Sequence, residues 1–247
     1  MRSSLAAVDA EPAIPDSPVV RRPIAVLVSR FPLITETFIL REISELERQG
    51  QPVVLVSMIE EHPDVMHREA VPWHGRAIYT PFLSPAITAA FGRALARQWR
   101  VLLPLIGWLA ATSLHRPVTL FKSLIVVPKC AYLASRLRNE GVSHLHAHFA
   151  THPTTMALII SKLTGIPFSF TVHAHDIFVD RTHLRRKVRE ALFVRSISRF
   201  NKLFLERLYP GEAHGKIEVV HVGIELSRDP NVPIVVGVFP MRPVTRS

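Results

Sequence analysis

Two short histidine-rich stretches contain the side chains of this sequence that are best suited to chemistry. One is "HLHAHF", residues 144–149, and the other is "TVHAHDIF", residues 171–178. Each follows or overlaps a run of residues that favours a β-strand, and together they supply five histidines and one aspartate. An imidazole can bind a metal ion, transfer a proton or pack as a hydrogen-bonded core residue. The sequence leaves these three roles open.

The histidines of the first stretch alternate along the chain. Because alternate residues of a strand share one face, the side chains of His144, His146 and His148 should point the same way. Three imidazoles on one face could bind Zn²⁺. The chain has a single cysteine, Cys130, and no H-E-x-x-H spacing, so a structural zinc site is not favoured and we predict no metal. For His144 and His146 we expect packing, with the rings satisfied by the backbone.

The second stretch lies where a neighbouring strand should end. Parallel sheets bind small ligands in a crevice at the carboxyl ends of their strands. His148, His173 and His175 are predicted to converge there, with the carboxylate of Asp176 beside them. A neutral imidazole at this edge can hydrogen-bond a sugar hydroxyl or a diphosphate, or move a proton. We therefore favour a catalytic or substrate-contacting role for His173, His175 and Asp176.

The elements that must position these residues alternate between strand and helix patterns. Residues 24–29 read as a buried strand, residues 36–50 as a helix that Gly50 ends, and "PVVLVSM" as a second strand. Strand, helix and strand in succession form a right-handed βαβ unit. Similar alternation continues to a final strand in "KIEVVHVGIEL". The predicted fold is α/β, a Rossmann-like open and mostly parallel sheet with helices on both faces.

The composition limits the class of protein. The chain has 247 residues, 48% of them hydrophobic, and a formal net charge of +10. A basic protein is attracted to anions such as nucleic acid, acidic lipid or phosphorylated substrates. No helix-turn-helix or RNP-like run supports specific nucleic-acid binding. A single cysteine fits a cytosolic protein, and residues 1–22 lack the apolar run of a secretory signal and are predicted to be a flexible leader.

An apolar and basic segment, "AITAAFGRALARQWRVLLPLIGWLAA", precedes the histidine stretches. Arg93, Arg97 and Arg100 would share one helical face, with Trp99 nearby. The uncharged stretch Val101–Leu114 is shorter than the about 20 residues that cross a bilayer. Two interpretations remain open. The helix could lie on an anionic membrane surface, or it could be an ordinary core-facing helix with a solvated arginine edge.

Three segments together resemble a known family. They are "SRFPLITETFILREISELERQG", "HLHAHFATHPTTMALIISKLTGIPFSFTVHAHDIF" and the run from "VRSISRFNKLFLERLYP" to "KIEVVHVGIEL". Over residues 24–226 the sequence resembles the N-terminal half of glycosyltransferase family 4, also called group 1. Within that family it is most similar to bacterial enzymes of exopolysaccharide biosynthesis such as colanic-acid transferases.

The resemblance implies a GT-B enzyme, in which two Rossmann-like domains face each other across a cleft. The N-terminal domain, here residues 23–226, would hold the acceptor, and a C-terminal domain would hold the nucleotide-sugar. The reaction would be hexosyl transfer with retained anomeric configuration to a polysaccharide or lipid-linked acceptor. The nucleotide-sugar is a co-substrate, and no cofactor or metal is expected. The implied location is the cytoplasm, at the inner face of the plasma membrane.

The resemblance also assigns roles in the histidine loop. It matches His173 to the histidine that ends a strand and faces the donor sugar, and it places His175 and Asp176 in the same loop. We predict His173 and Asp176 as catalytic residues. His148 and His175 are predicted to bind substrate.

Two further turns are implied to approach substrate. The first β/α loop makes Thr35, Glu36 and Thr37 candidates for substrate binding, at a helix N-terminus that can attract anions. The charge of Glu36 opposes a phosphate, so Glu36 is expected to cap the helix or to hold an acceptor hydroxyl. Ser198 and Asn201 match the family's S-x-F-N turn. Ser198 is a candidate for substrate contact, but helix capping is the simpler expectation.

The sequence departs from the family pattern after residue 226. The family continues into a second Rossmann domain with basic residues for the diphosphate and an E-x7-E motif, whereas residues 227–247 are too few for another βαβ unit. We therefore expect residues 227–247 to be a linker or truncated tail, with the donor domain missing or supplied by a partner. Little or no transferase activity is expected from the chain alone. The alternative is a non-catalytic module that binds the acceptor or a membrane surface.

Overall fold

The structure is a computed structural model that describes residues 21–221. The predicted tail, residues 227–247, and all but two residues of the predicted leader, residues 1–22, lie outside the described residues.

Seven parallel strands form one sheet in the order β3-β2-β1-β4-β5-β6-β7. Their bounds are β1 Ile24–Phe31, β2 Val53–Glu60, β3 Ile78–Tyr79, β4 His144–His148, β5 Phe168–Val172, β6 Val194–Ser196 and β7 Ile217–Val219. The chain order reverses between β1 and β4, which is where doubly wound sheets open a crevice at their carboxyl edge. The predicted Rossmann-like α/β fold is confirmed.

The helices connect these strands. They are α1 Thr37–Arg48, α2 Ala70–His74, α3 Pro85–Ser113, α4 Pro117–Asn139, α5 His152–Thr164, α6 Ala174–Phe178, α7 Leu184–Glu190, α8 Arg199–Leu208 and α9 Pro210–Ala213. A 3-10 turn over Ile34–Glu36 precedes α1. Two short helices were not predicted from the sequence, α2 and α6, and α6 begins directly after β5.

Central strands bury both faces, as parallel strands between helix layers must. In β1, Ala25 and Leu27 belong to a large core under α3, α4 and α5, while Val26 and Val28 belong to a smaller core under α1. The apolar run that predicted β1 therefore serves two cores.

Helix α3 packs against α4 through Leu102, Leu105 and Leu109, all of them buried. Gln98 leaves helical geometry, with φ −129° and ψ 27°, and it divides α3 into two parts. Arg97 and Arg100 lie on opposite sides of this kink, so the predicted continuous arginine face is interrupted. The core-facing interpretation therefore describes the inner side of α3.

Helix α4 is the one helix within residues 21–221 whose length and apolar composition would allow it to cross a membrane. Its most apolar window is 44% buried inside the domain, against α3 and α5. Lys129 is fully buried on this helix, and its ammonium donates to the carbonyl oxygen of Met58 at the end of β2. These contacts are those of a core helix.

Phe170, at the centre of β5, provides a test of the large core because its side chain is fully buried. We expect Phe170→Ala to lower the free energy of unfolding by about 3–5 kcal/mol, since it removes buried apolar surface and leaves a cavity. Urea unfolding followed by circular dichroism measures the change. Leu203→Ala, at a position 53% exposed on α8, is the control and should stay within about 0.5 kcal/mol of wild type. Equal losses in the two variants would contradict this packing.

Candidate active site at the carboxyl edge of the sheet

One face of β4 and β5 is polar, although both strands are central in the sheet. The ring nitrogens of His146 are hydrogen-bonded to the hydroxyls of Ser169, at 2.8 Å, and of Thr171, at 2.9 Å. His144 Nε2 lies 2.6 Å from the same Ser169 hydroxyl. The predicted shared face of the histidines is confirmed. The expected backbone partners were wrong, because hydroxyl side chains of the neighbouring strand satisfy both rings.

Farther along the same face, the hydroxyl partners end and two imidazoles remain. Among residues 21–221, neither ring nitrogen of His148 has a hydrogen-bond partner, and Nε2 of His173 has none either. The two ring centroids are 6.5 Å apart. His148 is 1% exposed, whereas His173 lies at the surface of the crevice and is partly accessible. The predicted convergence of these two histidines is confirmed.

Aromatic side chains surround the pair. Phe38, in the first turn of α1, lies 6.0 Å from the ring of His148 and 5.3 Å from that of His173. Phe149 lies 4.4 Å from His173. Phe149 has a left-handed backbone with φ 70°, a strained conformation of the kind that often marks functional turns. The two phenyl rings place the imidazole of His173 in a half-apolar recess.

An ion pair that was not predicted from the sequence lies next to His148. Arg195 of β6 donates to the carboxylate of Glu42 on α1, and Glu42 Oε1 is 3.8 Å from His148 Nε2. The pair joins helix and strand across 153 residues of sequence. A charged residue within the short β6 run "VRS" was the only local signal of it.

The same carboxylate, with His146 and His148, forms one of the clusters in the described residues that could hold a metal ion. Two features oppose a cation there. Arg195 already neutralises Glu42, and both nitrogens of His146 are engaged by hydroxyls. Two of the three side chains of this cluster, Glu42 and His146, are therefore already used, which leaves His148 as its one remaining donor among the described residues.

Asp176 connects the ends of the two central strands. Its Oδ2 accepts hydrogen bonds from the backbone N–H groups of Ala150, at 2.9 Å, and of His173, at 3.0 Å. The carboxylate is 1% exposed, and burial raises its pKa above the usual value. These contacts give Asp176 a role in holding the loop after β4 and the start of α6 together. Its predicted catalytic role remains a prediction.

Lys187 of α7 supports the same turn and was also missed. Its ammonium donates to three backbone carbonyl oxygens, those of Ala150 at 2.7 Å, Thr151 at 2.8 Å and Thr182 at 3.0 Å. Three carbonyls saturate the three N–H bonds of an ammonium group. Burial lowers the pKa of Lys187 to about 7, and the charges of Asp180 and Asp176 oppose that shift.

His175 is the third histidine that was predicted for this site. His175 is exposed on α6, whereas His148 is buried and His173 half-buried, and the predicted convergence of His175 with that pair remains a prediction. His175 points outward because α6 begins at Ala174 and turns it away from the strand direction. Its predicted role in substrate binding remains a prediction.

The loop after β1 lies at the same edge of the sheet. Thr35 is exposed, and Glu36 and Thr37 are half-buried at the start of α1. Glu36 occupies the N-cap position, but its carboxylate caps nothing, so that expectation was wrong. Burial raises the pKa of Glu36 to about 7. A half-buried carboxyl with no capping partner leaves the other expectation, contact with an acceptor hydroxyl, as a prediction.

Ser198 caps helix α8, because its hydroxyl accepts from the backbone N–H of Asn201 at 3.1 Å. The expected capping role is confirmed. Contact of Ser198 with substrate remains a prediction.

A cavity of about 490 Å³ opens at the carboxyl edge of the sheet, on the face opposite the histidines. We call it the crevice cavity. It is lined by Ser29, Arg30, Met58, Ile59, Phe82, Phe121, Lys122, Ile125 and His152. Mixed apolar and basic side chains beside the β1–β4 switch point suit a ligand with both apolar and anionic parts.

Comparison with known proteins finds similarity to solved structures. No protein-family model matches the chain, and no curated protein matches it. A glycosyltransferase from Rickettsia africae ESF-5 aligns with a TM-score of 0.45 and 12% identity, covering 81% of this chain and 43% of that one. The chain thus spans less than half of the length of this solved glycosyltransferase.

Burial sets the protonation of the three inner histidines. It lowers the pKa of His146 and of His148 to about 3, and that of His173 to about 4, with smaller contributions from neighbouring positive charges. All three rings are therefore neutral at pH 7. Neutral imidazoles can donate a hydrogen bond through one nitrogen and accept one through the other.

These shifts predict a pH-dependent stability. Below the ordinary histidine pKa of 6.5 the unfolded chain binds protons that the folded chain does not, so stability should fall from about pH 6.5 towards pH 4. Each such ring contributes up to about 1.4 kcal/mol per pH unit. We expect His148→Phe to lose stability less steeply over this range in urea titrations at pH 7.5, 6.5, 5.5 and 4.5.

The control for this pH series is His214→Gln, which changes an exposed histidine outside the cluster. It should keep the wild-type pH profile. If His148→Phe gives a profile parallel to that of wild type, His148 is not held neutral by the fold.

Proposed function

We propose that this chain forms the acceptor-side domain of a retaining GT-B glycosyltransferase. It would transfer a hexose from a nucleotide-sugar to a polysaccharide or lipid-linked acceptor. The observation that carries the proposal is the position of His173. His173 is half-buried at the carboxyl end of β5, its ring has aromatic neighbours on two sides, and its Nε2 is a buried atom with no hydrogen-bond partner among residues 21–221.

The chemistry assigned to His173 is hydrogen bonding. With a pKa of about 4, the ring is a weak base at pH 7 and is poorly matched to general-base catalysis. As a neutral donor it would bind a hydroxyl of the transferred sugar and hold it in the cleft. Phe38 and Phe149 would exclude water from that contact. The Glu42–Arg195 pair would keep α1, and with it Phe38, fixed against the sheet.

The crevice cavity is the proposed acceptor site. Its apolar part, which includes Phe82 and Phe121, suits a lipid or the apolar face of a sugar ring. Lys122 lies on the same wall and can pair with a phosphate or carboxylate. The half-buried carboxyl of Glu36, at the same edge of the sheet, is a candidate partner for an acceptor hydroxyl.

The donor diphosphate needs positive charge when it leaves, and this electrostatic stabilisation is a large part of the catalysis in such transfers. The resemblance assigns that task to a second domain. We propose that a second domain, in the same polypeptide or in a partner protein, closes over the carboxyl edge and supplies it. The sugar, the nucleotide and the acceptor are to be found by screening.

His173→Ala tests the proposal. Where the full chain, alone or with the product of the adjoining reading frame, transfers sugar from a panel of nucleotide-sugars, the variant should reduce kcat about 100-fold or more, because a donor aimed at the reacting sugar is lost. Radiolabel incorporation into an extracted glycan or lipid fraction measures it. His173→Asn, which keeps a donor group, should recover part of the rate.

His214→Ala is the control for this experiment and should transfer at the wild-type rate. Unchanged kcat in His173→Ala would remove His173 from the reaction. Absence of transfer with every donor, with or without the adjoining product, would count against the enzyme and favour the binding module below.

A second candidate function is a non-catalytic module at an anionic membrane surface, and one surface favours it. The turn after α3 exposes Leu114, and the adjoining start of α4 exposes Val118 and Phe121; the three are 73%, 65% and 66% accessible. An arginine-lined groove of about 760 Å³ adjoins this turn and includes His115 and Arg116. Apolar side chains beside basic ones suit an interfacial contact. This surface differs from the face of Arg93, Arg97 and Arg100 that the sequence suggested.

The charges of the groove are partly compensated. Arg185 pairs with Glu212, and Arg186 pairs with Glu190 and stacks on the ring of Trp108. Arg181 lines the groove and has no acidic partner within salt-bridge distance in the part of the chain that the structure describes. The groove therefore keeps positive charge available for a phosphate.

The double variant Leu114→Ser/Phe121→Ser tests the membrane surface. We expect its binding to vesicles that contain phosphatidylglycerol to weaken at least about tenfold, because each inserted side chain contributes roughly 1.5–3 kcal/mol. Vesicle flotation at low and high salt measures the bound fraction. Leu192→Ser, 61% exposed at another position, should bind as wild type does. Equal binding of the double variant and wild type would rule out this turn as the contact.

A further inference from the structure

A second cluster of metal-ligating side chains lies at the outer part of the sheet, away from the histidine pair. Glu60 is the last residue of β2, His62 follows it by two residues, and His74 is the last residue of α2. One ligand atom from each of the three lies within 4.8 Å of the others. Neither the proposed transfer reaction nor the proposed membrane contact uses any of them.

The spacing within the cluster fits a metal better than a hydrogen bond. His74 Nε2 and Glu60 Oε1 are 3.3 Å apart, yet Nε2 is buried without a hydrogen-bond partner in the part of the chain that the structure describes. Ligand atoms that bind Zn²⁺ at about 2.0–2.2 Å in a tetrahedron lie about 3.3–3.5 Å from each other. The separation of these two atoms is therefore already that of two zinc ligands.

Regular secondary structure holds two of the three ligands, Glu60 and His74, in place. Glu60 is paired with Phe31 in the β1–β2 register, and the next backbone N–H, that of Glu61, donates to the Phe31 carbonyl at 2.9 Å. Beside His74, Trp73 is buried and its Nε1 donates to Ser44 Oγ at 3.0 Å. A preorganised pair leaves only the ring of His62 to be positioned when an ion binds. That ring already lies 6.4 Å from the ring of His74.

The electrostatics also differ from those of the inner cluster. Glu42 is neutralised by Arg195, but Glu60 has no lysine or arginine within salt-bridge distance among residues 21–221. The arginines on either side are occupied, since Arg30 pairs with Glu61 and Arg76 pairs with Glu47. The carboxylate of Glu60 is therefore available to a cation.

We propose that Glu60, His62 and His74 bind a zinc ion through one carboxylate oxygen and two imidazole nitrogens, with water as the fourth ligand. A mixture of imidazole nitrogen and carboxylate oxygen donors suits a borderline divalent cation such as Zn²⁺. It suits Mg²⁺ and Ca²⁺ less well, because these ions prefer oxygen donors alone. The ion would tie the end of β2 to α2 and close the loop of residues 61–73. The site is separate from the candidate active site, and the inference does not depend on the proposed function.

The test is calorimetric titration of the full chain, free of any affinity tag, with ZnCl2. We expect the titration to show one zinc site. His62→Ala and His74→Ala should each lower its zinc affinity by at least about 10- to 100-fold, which is the loss seen when a residue that supports a metal ligand is removed. Zinc should also raise the melting temperature of wild type and not that of the variants. His62 is exposed, so His62→Ala keeps the test valid if His74→Ala does not fold.

The matched control is His148→Phe, which removes an imidazole of the inner cluster, where no ion is expected, and should leave zinc affinity unchanged. His214→Ala should do the same. The inference is overturned if wild type binds no zinc, if His62→Ala binds it as tightly as wild type, or if affinity is lost in His148→Phe instead. MgCl2 titrated into wild type should give no comparable heat, and equal affinity for the two ions would also overturn it.

Discussion

The carboxylate of Asp176 sets the distance between the ends of β4 and β5, on which the candidate site depends. One oxygen accepts from the backbone amides of Ala150 and His173, which follow the two strands. Lys187 holds the carbonyl side of the same turn. Together they satisfy the backbone groups that would otherwise be orphaned where two buried strands end. These hydrogen bonds therefore fix the backbone beside His148 and at His173, and with it the positions of the two rings.

Burying these two charges is costly, and it is rarely the most stable arrangement available. The Asp176 carboxylate is 1% exposed and so is Lys187. Apolar residues could fill the same volume. They could not accept hydrogen bonds from two backbone amides, as Asp176 does, or donate to three backbone carbonyls, as Lys187 does. We infer that the gain is positional. The charges specify where the first residue of each loop lies, which a site built from two adjacent loops requires.

Local pattern was sufficient to predict the sheet and the shared face of the histidines, because strand alternation acts between neighbours in sequence. It was insufficient for the residues that complete the site. Glu42 and Arg195 meet across 153 residues, and no local periodicity encodes that contact. The five-residue helix Ala174–Phe178, which carries His175 and Asp176, was not predicted either. Short elements whose ends are set by tertiary contacts escape propensity arguments.

Along β4, hydrogen-bond partners disappear in the direction of the crevice. His144 and His146 have hydroxyl partners on β5, whereas both nitrogens of His148 and Nε2 of His173 have none. In the β4–β5 register Ser169 and Thr171 pair with His146 and His148, but their hydroxyls bond the rings of His144 and His146, and the next residue on that face is His173, which offers no hydroxyl. Buried polar atoms in folded proteins are normally paired, so the three unpaired imidazole nitrogens at this edge require a separate cause. A ligand that brings its own hydroxyls to that edge would complete a pattern which the two strands carry only as far as Thr171.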